Sequence, residues 1–329
     1  MSWRELPKVE LHLHLEGAAP PAFIRGLAEE KGIRLDRVFD ERGGYVFDDF
    51  AGFLRCYEAA CAPLRTPEDH ARLVAAVAEE LSANGVVYAE LFTAPQLSCD
   101  ADAGAWRDYS AAMREAAGRA EAAGGPVLRS IPTCVRHLGP DDARRAAICA
   151  AEAAGDGWTV GFGMGGDETA GRQQDYAWAF DCAREAGLGL TSHAGEWRGP
   201  SEVRDALELG VSRIGHGIRA AEDRALMDDL AERGIVLEVC PRSNVALGAV
   251  RSLERHPIER LRAAEVPVTV STDDPPFFGA TMTREWEDLE RAFGWTPEDL
   301  TALNRTALAA AFCDEATRTR IAGMIEEPT

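Results

Sequence analysis

The sequence predicts an α/β fold of the (β/α)8 barrel kind, in one domain over residues 1–329, with extra helices after the first strand. Three observations predict it. Eight short, β-branched apolar runs recur along the chain. Stretches with helical apolar spacing separate them, such as Leu73, Val77, Ala78 and Leu81. Strands that alternate with helices imply a parallel sheet, and in 329 residues closure into a barrel is the economical arrangement. The alternative is an open doubly wound sheet. Against it, the first run leads into His12-Leu13-His14 rather than a Gly-rich phosphate turn.

The first predicted strand is Val9–Leu13. Helices are expected over 19–32, 48–62 and 67–84, before the second strand at Val86–Phe92. An insertion on the C-terminal side of a barrel strand is a natural lid. Phe50, Phe53, Leu54 and Tyr57 give its middle helix one apolar face, suited either to packing on the rim or to gating a substrate. Further strands are expected at Val127–Ile131, Trp158–Phe162, Leu188–Ser192, Arg213–Gly215, Ile235–Val239 and Val266–Ser271. Gly85, Gly187, Gly210 and Gly234 each stand where a helix should stop before a strand. Residues 276–329 read as closing helices.

Composition narrows the function. Apolar residues make up 46% of the chain, which argues against disorder. The formal net charge of −20 repels phosphate backbones and anionic lipid, so neither nucleic acid nor a membrane surface is an expected partner. Ser2-Trp3-Arg4-Glu5 has no basic start and no apolar run, so no signal peptide is expected. The eight cysteines form no C-x-x-C pair and are expected to be free thiols in a reducing cytoplasm.

Four of the seven histidines, His12, His14, His193 and His216, end predicted strands, which in a barrel is the catalytic face. His12 and His14 share one side of an extended segment, so one ion could bind both. Alone, H-x-H is a weak signal; here it runs into Glu16-Gly17. His193 opens His193-Ala194-Gly195-Glu196, which sets an acid three residues beyond a metal-ligating side chain. Glycines flank His216 and allow close approach. Asp273-Asp274 ends the last strand, either as carboxylates needing a cation or as a helix N-cap before Pro275. Three histidines and a carboxylate suit Zn2+, though iron or manganese could use the same donors.

These segments resemble the adenosine deaminase family of the amidohydrolase superfamily. The resemblance rests on Pro7-Lys8-Val9-Glu10-Leu11-His12-Leu13-His14-Leu15-Glu16-Gly17, Gly166-Asp167-Glu168, His193-Ala194-Gly195-Glu196, Gly215-His216-Gly217, Glu238-Val239-Cys240-Pro241 and Ser271-Thr272-Asp273-Asp274-Pro275. It implies one Zn2+ per chain, held by His12, His14, His193 and Asp273. It also implies that Glu196 protonates purine N1, that His216 helps deprotonate and steer the attacking water, and that Asp274 orients that water. Gly166 would meet purine N3, Ser243 would support the ligands from behind, and His14, Glu16 and Asp274 would also contact substrate.

The resemblance further implies hydrolytic deamination of adenosine and 2′-deoxyadenosine in purine salvage, with adenine or a 5′-modified adenosine as the alternative. Two departures bear on that choice. Nucleoside-specific members carry Asp at the position of Glu16, where adenine-specific members more typically have Glu. Gly166-Asp167-Glu168 points the other way, towards the nucleoside. Trp197, after Glu196, is bulkier than is usual and would reshape a sugar pocket. A non-catalytic purine-binding protein is disfavoured because every ligand and acid–base position is present.

Overall fold

In the computed structural model, which describes residues 2–326, eight strands form one parallel sheet in the order β1 to β8. They are β1 (Lys8–His14), β2 (Val86–Thr93), β3 (Val127–Val135), β4 (Gly161–Gly165), β5 (Gly189–Ala194), β6 (Arg213–His216), β7 (Val236–Val239) and β8 (Val268–Val270). The ends meet: His14 N donates to the Asp273 carbonyl at 3.0 Å, and Asp273 N donates to the His12 carbonyl at 3.1 Å. The expected (β/α)8 barrel is present, and its seam runs through three of the predicted metal ligands.

One strand differs from expectation. The fourth is expected at Trp158–Phe162 and lies at Gly161–Gly165. A Cβ on Gly161 would fall 2.8 Å from Phe312, one on Gly163 2.8 Å from Thr133 Oγ1, and one on Gly165 3.2 Å from His193. The barrel interior is full at each of these positions, so the strand has no side chains there and carries no β-branched alternation. Phe312 enters from the opposite end, its ring 3.8 Å from the Arg213 guanidinium carbon.

The insertion helices are Pro21–Glu30, Phe50–Cys61 and Pro67–Ala83, close to the expected ranges. Asp49 caps the second through Gly52 N, and Thr66 with Asp69 forms a capping box on the third. Gly85, Gly187, Gly210 and Gly234 all have positive φ, as helix stops before strands require. Helices Pro275–Phe278, Met282–Phe293, Pro297–Ala310 and Glu315–Glu326 follow β8. All eight cysteines are free thiols. Among the described residues no helix is long and apolar enough to cross a membrane.

Candidate active site

The C-terminal ends of β1, β5, β6 and β8 bring His12, His14, His193, His216 and Asp273 together. His12 Nε2 and His14 Nε2 each lie 3.3 Å from Asp273 Oδ1, and His14 Nε2 lies 3.2 Å from His193 Nε2. The four predicted ligands therefore converge. His216 joins them, since donor atoms of His12, His193, His216 and Asp273 all lie within 4.8 Å of one another. His216 and Asp273 are non-glycine residues with φ of 59° and 67°. That backbone conformation is held against its intrinsic cost and aims both side chains into the barrel mouth.

The donor set fits a divalent cation of intermediate softness. His12 Nδ1 lies 2.8 Å from Glu238 Oε2, which fixes its proton there and frees the Nε2 lone pair. That Nε2 is buried and has no hydrogen-bond partner. Glycines make room for the rings: a Cβ on Gly215 would sit 2.8 Å from His12 and 3.1 Å from His193. Ser243 Oγ donates to Asp273 Oδ2 at 2.6 Å. Beneath the ligands Arg213 bridges Glu238 and Glu90, at 2.6 Å to each.

Glu196 stands beside this group, its Oε1 3.8 Å from His216 Nδ1 and 3.1 Å from Asn244 Nδ2. Burial, then the charge of Asp273, pushes its carboxyl up to about 8. Asp274 Oδ1 is buried without a partner. Burial and the adjacent Asp273 raise the proton affinity of Asp274. Gly17 leaves space for it, since a Cβ there would come within 1.6 Å of Asp274 Oδ1. His216 is kept neutral by burial, its pKa lowered to about 3.

A cavity of about 90 Å3 opens onto these groups, and His14, Glu16, Gly166, Glu196, His216 and Asp274 all line it. The helix Phe50–Cys61 lies over it: Phe50, Phe53, Leu54 and Tyr57 are all wall residues, and Phe50 meets Trp197 at 5.0 Å between ring centres. The apolar face expected from the sequence thus forms part of the cavity wall. Glu16 lies at the wall with both oxygens engaged. Oε1 accepts from Ala94 N at 3.1 Å, and Oε2 faces the Tyr57 hydroxyl at 3.5 Å. Burial pushes its pKa up to about 7.

Gly166-Asp167-Glu168 divides its roles. Gly166 lines the cavity with φ of +94°, where a Cβ would strike His137 Nδ1 at 2.9 Å. Glu168 faces away from the cavity. Its carboxylate accepts the backbone N–H of Gly195, of Trp197 at 2.6 Å and of Arg198 at 3.1 Å, bracing the loop that carries Glu196.

Sequence reasoning gives no role to Glu238, Arg213, Asn244 or His256, and takes Glu168 only as part of the Gly166-Asp167-Glu168 segment. Two of these leave a trace. Glu238 and Arg213 interrupt apolar strands, and a buried charge must be paired. Asn244 and His256 carry no pattern of their own and become visible only through their contacts.

The family model described as Adenosine deaminase matches residues 7–328. A protein of Rhizobium leguminosarum bv. trifolii named adenine deaminase is 47% identical over 319 residues, covering 95% of this chain and 97% of its own. The crystal structure of adenine deaminase from Arthrobacter aurescens superposes with a TM-score of 0.88 at 30% identity, covering 98% of both chains. That of an amidohydrolase from Burkholderia ambifaria, with bound Zn, gives 0.86 at 26% identity, covering 98% of this chain and 92% of the other.

Proposed function

This chain belongs to the adenosine deaminase family of hydrolases, and we propose that it hydrolyses adenine to hypoxanthine and ammonia, using one zinc ion per chain. The free base replaces the nucleoside put first on sequence grounds. The observation that carries the change is Glu16. Its carboxylate already accepts from Ala94 N–H and faces the Tyr57 hydroxyl, so a ribose would have to compete with those contacts. The relatives named adenine deaminase support the same reading. Gly166-Asp167-Glu168, the signal for a nucleoside, has a separate explanation: Glu168 braces the acid's loop.

In this reading His12, His14, His193 and Asp273 hold the zinc. Their imidazole nitrogens and carboxylate suit it, and bound Zn in the Burkholderia ambifaria structure supports that identity. The ion supplies Lewis acidity that makes water nucleophilic near neutral pH. The helix Phe50–Cys61 covers the cavity and limits bulk water around the base. Gly166, whose backbone reaches the wall, would meet N3.

Glu196, kept protonated by burial, gives its proton to ring N1 as oxygen adds to C6. Asp274, ionised by a cation held beside it, accepts on its unpartnered oxygen the proton that the water loses. Neutral His216 hydrogen-bonds the attacking oxygen and stabilises the charge that develops on it. The proton held by Asp274 then passes to the amino nitrogen, the C6–N bond breaks as C6=O forms, ammonia leaves, and the remaining hydroxyl proton restores Glu196. Ammonia release over adenine, adenosine, 2′-deoxyadenosine, 5′-methylthioadenosine and AMP tests the assignment. Turnover of adenine alone or foremost supports it, and turnover confined to a nucleoside or nucleotide refutes it.

A further inference from the structure

Asn244 lies in the short helix Pro241–Ala246 after β7, next to Ser243, which holds Asp273. It is fully buried and touches three ionisable side chains through one amide. Its Nδ2 is 3.1 Å from Glu196 Oε1 and 3.2 Å from His216 Nδ1, and its Oδ1 is 3.2 Å from His256 Nε2. An amide's two ends look alike in shape, so what faces them decides its orientation.

His256 decides it. The backbone N–H of Ile258 can only donate, and it points at His256 Nδ1 at 3.2 Å. Nδ1 is therefore an acceptor, and in the neutral ring the proton sits on Nε2. Burial keeps that ring neutral, its pKa lowered to about 3. Nε2–H must donate to an oxygen, so Asn244 Oδ1 faces it and Nδ2 faces the barrel. The reversed amide would oppose N–H to N–H at His256 and offer an acceptor to Glu196.

The two hydrogens of Nδ2 then account for both remaining contacts. One goes to Glu196 Oε1, making that oxygen the carbonyl end of the neutral acid and leaving the acidic proton on Oε2. The other goes to His216 Nδ1, leaving the proton of that neutral ring on Nε2, where it can serve as a donor. An amide neither gains nor loses a proton near neutral pH, so it sets these positions without competing for the proton being transferred.

We propose that Asn244 is a positioning residue for the deamination, locked in one amide orientation by His256, and that it sets which oxygen of Glu196 and which nitrogen of His216 carries a proton. The role in turnover rests on the function proposed above; the orientation itself does not.

Two measurements test it, both on the full metal-loaded chain. Nitrogen-15 NMR of labelled histidine, with the His256 signals identified by their loss in His256→Gln, should show a neutral Nε2–H tautomer at neutral pH. An Nδ1–H or doubly protonated ring overturns the lock, whatever the substrate proves to be. In steady-state kinetics Asn244→Asp, the same shape without the donor, should lower kcat by about 100-fold or more, with metal content unchanged and KM within about threefold. Asn244→Ala should lose only about tenfold. His256→Gln, which keeps a donor for Oδ1, should retain more activity than His256→Leu. Were the role only one of filling space, Asp would outperform Ala and Gln would match Leu, and either result overturns the proposal. If the native enzyme releases ammonia from no aminopurine, the proposed function fails, while the tautomer measurement still decides the lock.

Discussion

His12 lies with its Nδ1 2.8 Å from a carboxylate oxygen of Glu238, and both side chains are completely buried. Arg213 holds the other oxygen of Glu238 at 2.6 Å, and Thr191 donates to it at 3.1 Å. The carboxylate is thus fixed from below and itself fixes the imidazole above. Glu238→Gln should weaken metal binding by about 10–100-fold, because partners of this kind orient a ligand and raise its basicity. Competition against a chelator measures it; native affinity in the variant would show that His12 needs no such support.

Glu168 accepts three backbone N–H groups from the loop 195–198. Glu168→Ala leaves these donors without their acceptor in a buried place. Unfolding free energy should fall by about 1–3 kcal/mol in urea titration. Turnover should fall as well, since Glu196 rides on that loop. A variant with native kcat would separate the brace from catalysis.

Gly17 faces Asp274 so closely that a methyl group would displace its carboxylate. Gly17→Ala should lower kcat by about 100-fold, the scale expected for misplacing a reacting group by an ångström. Metal content should stay near native. Loss of the metal instead would show that Asp274 moves together with Asp273.

The pH dependence follows from Glu196. An acid must enter the reaction protonated, and burial raises this carboxyl to about 8. The active form is therefore complete well below that value and is lost as pH rises through it. The alkaline limb of kcat/KM should fall near pH 8. Glu196→Gln should remove that limb and lose about 100-fold or more in turnover while keeping the metal. An unchanged limb in the variant would assign it to another group.

How much of this was legible beforehand depends on side-chain chemistry. Strands and ligands were readable where the pattern lies in the residues themselves: β-branched runs for most of the barrel, His-x-His for a shared face, Asp273-Asp274 at a strand end. Gly161–Gly165 was misplaced because its interior positions are empty by necessity, filled by Phe312, Thr133 and His193 from elsewhere in the chain. Gly166-Asp167-Glu168 is a nucleoside signal by resemblance alone; Gly166 does line the cavity, but only the fold shows that the Glu168 carboxylate points back at the loop. Asn244 and His256 are 12 residues apart and meet across a turn that no periodicity encodes.

In the proposed reaction these side chains deaminate the free base. Its most direct test is kcat/KM for adenine and for adenosine, measured side by side by ammonia release with zinc-loaded enzyme and with Glu196→Gln as the blank. Adenine should be preferred by about 100-fold or more, since a ribose would have to displace the contacts that Glu16 already makes, a loss of about 3 kcal/mol. Equal or greater efficiency with adenosine would contradict it.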